Sequence, residues 1–352
     1  REQDMLYFFL ALLALLCWSG SDLFSKIGCC GERDKTAHLK MVVAVGVVMG
    51  LHAAYMLIFH DVVITWHVVL TYLPVSLLYI LSMALGYVGL RYIELSISSP
   101  ICNSSGALVA VLSIATGGLA ALEGADPVPV LGAVALVCLG VIGLGIVEAR
   151  EDEDLRARRQ EHANRKYAKS WLAICLPIAY CVLDAAGTFA DSLVLGRFHG
   201  EFVQAYAPAE LAPLFANGIP EDLSGLSASA QEFVERMNTA SANSANVAYE
   251  LTFLAAGLAC LIYLLVRREK FSLKLELPKY AGAACETVGQ LFYIYALSDQ
   301  DHVMLSAPII SAYCVLSAVW GRIFLREKLS WKHYAMIALV VVGIVILGVY
   351  DI

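Results

Sequence analysis

Ten apolar runs, each about one bilayer crossing long, constrain this chain more than any other feature. They lie at 5–27, 40–60, 67–91, 95–121, 128–148, 170–195, 246–266, 279–298, 303–325 and 333–350. A hydrocarbon core takes about 20 apolar residues per helix. Lipid offers no partner to a backbone N–H or C=O, so each run must close its own hydrogen bonds as a helix. Composition agrees, with 59% hydrophobic residues, 16% charged and a mean hydropathy of +0.71; soluble domains carry about 25% charged residues. The expected fold class is an all-α membrane protein with ten transmembrane helices.

Loop charge sets the expected orientation, because Lys and Arg are retained on the cytoplasmic side. Threading the chain through ten crossings puts 21 of the 24 basic residues on one face, leaving Arg1, Arg197 and Arg236 on the other. A missed or invented helix would scramble that asymmetry. Both termini are therefore expected outside a plasma membrane and the charged linker 149–169 in the cytoplasm.

The chain also repeats itself. The segment 77–109 slides onto 285–317 without a gap, placing Tyr87 on Tyr295, Ser98 on Ser306 and Pro100 on Pro308. Two such copies imply a duplicated architecture: a first repeat at 1–148, the linker 149–169, and a second repeat at 170–352. Five helices per half, an odd number, force the copies into opposite orientations, the inverted-topology arrangement of many secondary transporters. The second half alone carries an insert at 196–245, with six acids and two bases and one short helix expected near 227–238. It reads as a solvated outer cap or as a lid whose negative charge concentrates cations.

Five acids interrupt the apolar runs: Asp22, Asp184, Asp191, Glu250 and Glu286. Each costs roughly 2.5–3.5 kcal/mol at mid-membrane, so each needs a reason to be there. Asp184 falls close to the midplane, Glu286 about 10 Å from the basic end of its helix at 1.5 Å per residue, and Asp191 and Glu250 toward the outer ends. Lys26, one turn from Asp22, offers that acid a local ion pair. Helical spacing aligns Tyr180, Asp184, Thr188 and Asp191 on one face, Glu286, Gln290 and Tyr293 on a second, and Trp18, Ser21, Asp22 and Ser25 on a third. Polar stripes must face protein or a water-filled cavity. Acids interleaved with aromatic faces suit an organic cation, through charge and cation–π attraction.

Pro100 and Pro308 free carbonyls one turn earlier, so their helices, with Asn103 on the first and Tyr313 on the second, either bend and line the same pathway or carry the proline in a first turn, where it costs little. Trp66, Trp171, Trp320 and Trp331 sit near helix ends as interfacial anchors, whereas Trp18, Tyr87 and Tyr295 lie deeper. The candidate substrate-binding set is Trp18, Asp22, Tyr87, Asn103, Tyr180, Asp184, Glu286, Gln290, Tyr295 and Tyr313. The candidate proton-coupling set is Glu286, Asp184, Asp191 and Glu250. Glu286 faces Leu78 in the aligned first copy, so that acid belongs to the second half alone. His52 and His60 lack ligand-spaced partners and are expected to pack. The ten cysteines show no CxxC or Cys/His spacing, so no metal site and no cofactor is expected.

The Ser-x-Pro helix starts of the two halves, Leu122-Glu123-Gly124 before Gly140, Gly143 and Gly145, and Arg326-Glu327-Lys328-Leu329-Ser330 before Gly343 and Gly348, resemble the drug/metabolite transporter superfamily, in particular its EamA-domain branch. The stretch from Pro308 to Gly348 is the closer match, and the resemblance spans nearly the whole chain except 196–245. It implies small-molecule transport and leaves the cargo open, since the family handles amino acids, choline-like amines, sugar phosphates and nucleotide sugars. The reading is a secondary transporter of a small polar, cationic solute such as an amine or quaternary ammonium. It would work by alternating access with proton coupling, with a small molecule and the bilayer as partners and no nucleic acid. A zwitterionic amino-acid exporter is the alternative within transport; a lipid carrier or scramblase is the alternative outside it. No GxxxxGK[ST] occurs, which argues against an ATP-driven pump, and no convergent nucleophile, base and metal-ligand set argues for an enzyme.

Overall fold

The computed structural model describes residues 2–30, 34–60, 62–118, 126–150, 170–220, 223, 225–297, 309–310 and 312–349, with side chains for all but 2–8, 148–149, 170–172 and 294–297. The linker 151–169, the hinge 299–302, Pro308, Ser311 and the side chains of Tyr295 and Trp171 lie outside that set. Among the described residues every regular element is helical: α1 (Glu2–Cys29), α2 (Ala37–Phe59), α3 (Trp66–Gly89), α4 (Leu95–Cys102), α5 (Ser105–Gly117), α6 (Pro127–Ala149), α7 (Ser170–Tyr206), α8 (Ala228–Val266), α9 (Leu273–Leu297), α10 (Tyr313–Ile323) and α11 (Trp331–Val349), plus a single 3₁₀ turn at Ala212–Leu214.

Among the described residues eight stretches are long and apolar enough to cross a bilayer, α4 and α5 counting together as Leu95–Gly117. The runs expected at 279–298 and 303–325 fall on α9 and α10, which do not meet that measure. Helix α9 carries Lys274, Glu276, Lys279 and Glu286, and the described part of α10 is 11 residues long.

Local chemistry sets the helix starts. Thr65 accepts from the Val68 N–H ahead of α3, Asp126 from the Val128 N–H ahead of α6, and Ser227 from the Ala230 N–H ahead of α8. Each satisfies an orphan donor of the first turn, and Pro127 occupies a first-turn position where its missing N–H costs nothing.

Glycines permit the closest helix contacts. Helix α2 packs along α8, where a Cβ on Gly46 would meet the Phe253 carbonyl at 2.7 Å and one on Gly257 the Val42 carbonyl at 3.2 Å. Helix α6 packs along α11 the same way, Gly140 against the Met336 carbonyl at 2.9 Å and Gly343 against the Ala133 carbonyl at 2.8 Å. Helix α1 lies along α9, α3 along α7, and α4 crosses α10. Apolar clusters fill the spaces between; one joins Ile97, Ile101 and Ala110 to Val137, Val340 and Ile344.

Two expectations need correction. The fourth run is not one helix: it breaks at Asn103 and Ser104 into α4 and α5, which re-aims the polar residues on either side of the break. The insert is not chiefly a loop with one short helix. Helix α7 runs on to Tyr206 and α8 begins at Ala228, making helices of 37 and 39 residues. At 1.5 Å per residue each is about 55–60 Å long, nearly twice a hydrocarbon core of about 30 Å. Phe198, Phe202, Val203, Phe215, Phe233, Val234 and Met237 are buried between these extensions and against Val68 and Tyr72 of α3, so the insert has an apolar core of its own.

At the opposite end the basic residues meet. Lys40 lies 3.1 Å from Asp34 and 3.4 Å from Glu276, and Lys279 lies 3.4 Å from Asp34 and 3.2 Å from Glu276. Arg91 donates to the backbone carbonyls of Asp34 and Lys35 at 3.0 and 2.9 Å. Burial pushes the Asp34 carboxyl up, but the Lys40 hydrogen bond and the Lys279 and Lys40 ammonium charges outweigh it and hold Asp34 below the usual carboxylate range.

Candidate substrate site

The site is assembled on α1, α4, α7, α9 and α10. Asp22 of α1 accepts hydrogen bonds from Ser99 of α4 at 2.5 Å and Ser317 of α10 at 2.7 Å. Its expected partner Lys26 turns elsewhere, donating to the carbonyls of Leu90 at 2.6 Å and of Ile93. The correction has a steric cause: Lys26 is itself buried, and the turn after α3 presents two carbonyls to it. Glu286 of α9 lies beside the Ser21 hydroxyl of α1 and within electrostatic reach of both Asp22 and Asp184. Asp184 of α7 lies beside the hydroxyl of Ser105, the first residue of α5. The break between α4 and α5 thus separates the serine that serves Asp22 from the serine that serves Asp184. None of Asp22, Asp184, Asp191 or Glu286 takes part in an ion pair among the described residues.

Aromatics close around these acids. Trp18 packs on Tyr293 with ring centroids 5.1 Å apart and edge-on to Tyr313 at 5.6 Å. That approach needs Gly289, since a Cβ there would lie 2.6 Å from the indole. Tyr313 stands within reach of Asp22 and Glu286, Tyr87 of the same two acids, and Tyr180 of Asp184 and Glu286. The indole N–H of Trp18 is buried without an acceptor, a donor that a bound solute is placed to satisfy. Asn103, in the helix break, bonds Cys314 of α10, and Gln290 lies half-buried one turn from Glu286.

Two candidate acids stand apart from this group. Asp191 accepts from Tyr72 of α3 at 2.7 Å, while Tyr79 on the same helix donates to Thr188 at 3.2 Å. Glu250, 4% exposed, meets His52 of α2 at 2.7 Å and Asn246 at 3.3 Å. His52 therefore packs, as expected, but with a carboxylate rather than with apolar neighbours.

Sequence reasoning missed Ser99, Ser317 and Tyr249. The tyrosine lies within electrostatic reach of Glu286, Asp184 and Glu250, and its hydroxyl donates to Met83 Sδ at 3.3 Å. Serines every few residues are too common along these helices to stand out, and Tyr249 belongs to none of the three polar stripes.

Comparison with curated proteins returns no match. Comparison with family profiles matches residues 230–349, from α8 to α11, to the EamA-like transporter family. This stretch holds Glu286, Tyr293, Tyr313 and Ser317, so the matched segment carries part of the site. Over residues 230–349 the chain is thus similar to the EamA-like transporter family, part of the drug/metabolite transporter superfamily.

Proposed function

We propose that the protein is a secondary transporter that moves a small organic cation across the plasma membrane by alternating access, using a ten-helix fold of two inverted five-helix repeats. One observation carries the substrate class: Glu286 lies within electrostatic reach of Asp22 and Asp184 on two other helices, none of the three has a basic partner among the described residues, and Trp18, Tyr87, Tyr180, Tyr293 and Tyr313 pack around them. Buried charge needs compensation, and an ammonium group flanked by aromatic faces provides it. No three ligating side chains converge closely enough among the described residues to hold a metal ion, which favours a cation spread over several atoms.

The repeat reading is supported by the pairing of helices. A two-fold axis relating the halves would exchange the α1–α9 contact with the α3–α7 contact and map α2–α8, α4–α10 and α6–α11 onto themselves. The glycine contacts follow the same symmetry: Gly46 meets Gly257 between α2 and α8, and between α6 and α11 Gly140 meets Met336 and Val340 while Gly343 meets Ala133 and Val137. Trp18-x₃-Asp22 on α1 and Tyr180-x₃-Asp184 on α7 share one spacing, while Glu286 aligns with Leu78 in the first copy, which supports Glu286 as the acid that carries a proton.

The zwitterionic alternative draws on Trp18. Its unpartnered indole donor would suit the carboxylate of an amino acid whose ammonium end meets the acids. Flux into proteoliposomes, with and without a proton gradient, decides between the readings. Flux of an amine or amino acid that rises with the gradient, and loses that response in Glu286→Gln, supports the proposal. Gradient-independent flux with an unchanged rate in Glu286→Gln sinks proton coupling, and uptake of phosphorylated sugars alone sinks the cation reading.

A further inference from the structure

One turn beyond Asp22, toward the basic end, a second acid joins the same helices. Glu327, in the turn between α10 and α11, spends its whole carboxylate on the start of α4. Oε1 accepts from the Leu95 N–H at 2.7 Å, and Oε2 from the Ser96 N–H at 3.0 Å and the Ser96 hydroxyl at 2.5 Å. The two partners lie more than 230 residues apart in the chain, so the bond joins the halves.

The backbone is shaped to deliver this carboxylate. Arg326 adopts a left-handed φ of 56°, uncommon for a residue with a Cβ, and turns Glu327 back so that its N–H reaches the Gly321 carbonyl at 3.1 Å. Arg322 then donates to the Glu327 carbonyl at 3.0 Å. Gly321 leaves the space, because a Cβ there would fall 2.5 Å from the Ser96 hydroxyl. Lys26 holds the turn that leads into α4 through the Leu90 and Ile93 carbonyls, with Glu327 and Glu94 within electrostatic reach.

Two rungs therefore connect the same three helices. The upper rung is Asp22 with Ser99 and Ser317. The lower rung lies one turn along each helix: Lys26 after Asp22, Ser96 before Ser99, Gly321 after Ser317. We propose that Glu327 and Lys26 form a clasp that closes the path from the acid site to the basic face, and that alternating access opens that face by releasing it. The inference rests on the transport reading given above. A solute ammonium that draws Asp22 away from Ser99 and Ser317 loosens the upper rung, and α4 then carries Ser96 away from Glu327. The freed carboxylate and ammonium need water, which only an opening toward the basic face admits. The left-handed Arg326 adds a small bias toward release.

Hydrogen–deuterium exchange on the full chain in lipid nanodiscs tests the clasp. Glu327→Ala is expected to speed exchange at least tenfold across 95–102 and, together with it, across 22–29 and 317–323, because these segments share both rungs. Glu327→Gln keeps one acceptor oxygen and gives a smaller rise over the same three segments. Arg326→Gly keeps the carboxylate, relieves the left-handed residue and slows exchange there, so the opposite sign remains available if Glu327→Ala does not fold. Acceleration confined to Leu95 and Ser96, or absent, would leave Glu327 a plain helix cap and overturn the clasp. Absence of flux for every solute, with the concerted exchange pattern intact, would instead refute the transport reading.

Discussion

Replacing Asp34 by asparagine removes one negative charge from a quartet that is neutral as it stands, two lysines against two carboxylates. The side chains involved are nearly dry, with 5% of Asp34, 3% of Lys40, 1% of Lys279 and 10% of Glu276 exposed. The introduced amide oxygen can still accept from Thr36, whose N–H and hydroxyl now bond Asp34 at 3.2 and 3.1 Å, so the turn keeps its shape and the change is almost purely one of charge. Two buried ammonium groups then share Glu276 alone. Leaving an uncompensated buried charge costs about 3–5 kcal/mol, and that is the expected loss of unfolding free energy in mixed-micelle SDS titrations followed by circular dichroism. Adding Lys279→Met restores neutrality with the Lys40–Glu276 pair intact, so the double variant is expected to be the more stable of the two. The acid limb gives an independent check. Asp34 titrates below the usual carboxylate range, so its stabilisation is complete above the unfolded value of about 3.9 and is lost as pH falls through its lower folded value. Asp34→Asn should flatten that part of the profile. A single variant within about 0.5 kcal/mol of the parent, the range of ordinary surface changes, or strictly additive losses in the double variant would refute this account of the cluster.

Gly343→Val should destabilise by about 1–3 kcal/mol through overpacking, because its Cβ would lie 2.8 Å from the Ala133 carbonyl; Gly132→Ala, with open space around it, is the neutral comparison in the same unfolding assay. Ser317→Ala removes one of two hydroxyls on Asp22, and at about 1.5–3 kcal/mol for a hydrogen bond to a charged group it should change solute affinity by roughly ten-fold or more. Ser76→Ala, whose hydroxyl bonds only the Tyr72 carbonyl of its own helix, should leave affinity unchanged. His52→Gln weakens the partner of a buried carboxylate and should cost more stability alone than together with Glu250→Gln, measured by the same titration.

Legibility in the sequence followed how local the physics was. Eight spans could be placed run by run, because lipid tests each segment's backbone separately. The basic residues sorted to one end for an equally simple reason, the cost of charge in the bilayer, and several of them meet there as Lys26, Lys40, Arg91 and Lys279. The insert was misjudged because its helices carry the Gly, Ser and Asn usually read as loop, as in Ala240-Ser241-Ala242-Asn243-Ser244; burial of Phe198, Phe215 and Phe233 against one another overrides those weak preferences. The fourth run allowed a bend at Pro100, but its break opens at Asn103 and Ser104.

The sequence by itself determined that the chain crosses a bilayer many times, that its second half follows the EamA pattern, and that Asp22, Asp184, Asp191, Glu250 and Glu286 interrupt apolar helices. Only the tertiary structure decided which of these acids meet. Asp22 took Ser99 and Ser317 rather than nearby Lys26, Glu250 took His52, Asp191 took Tyr72 of α3, and Glu286 was left within electrostatic reach of Asp22 and Asp184. The reason is geometric. Helical spacing tells which residues share a face, but the rotation of that face is set by close contacts such as Gly46 on Gly257 and Gly140 on α11, which join residues about 200 positions apart.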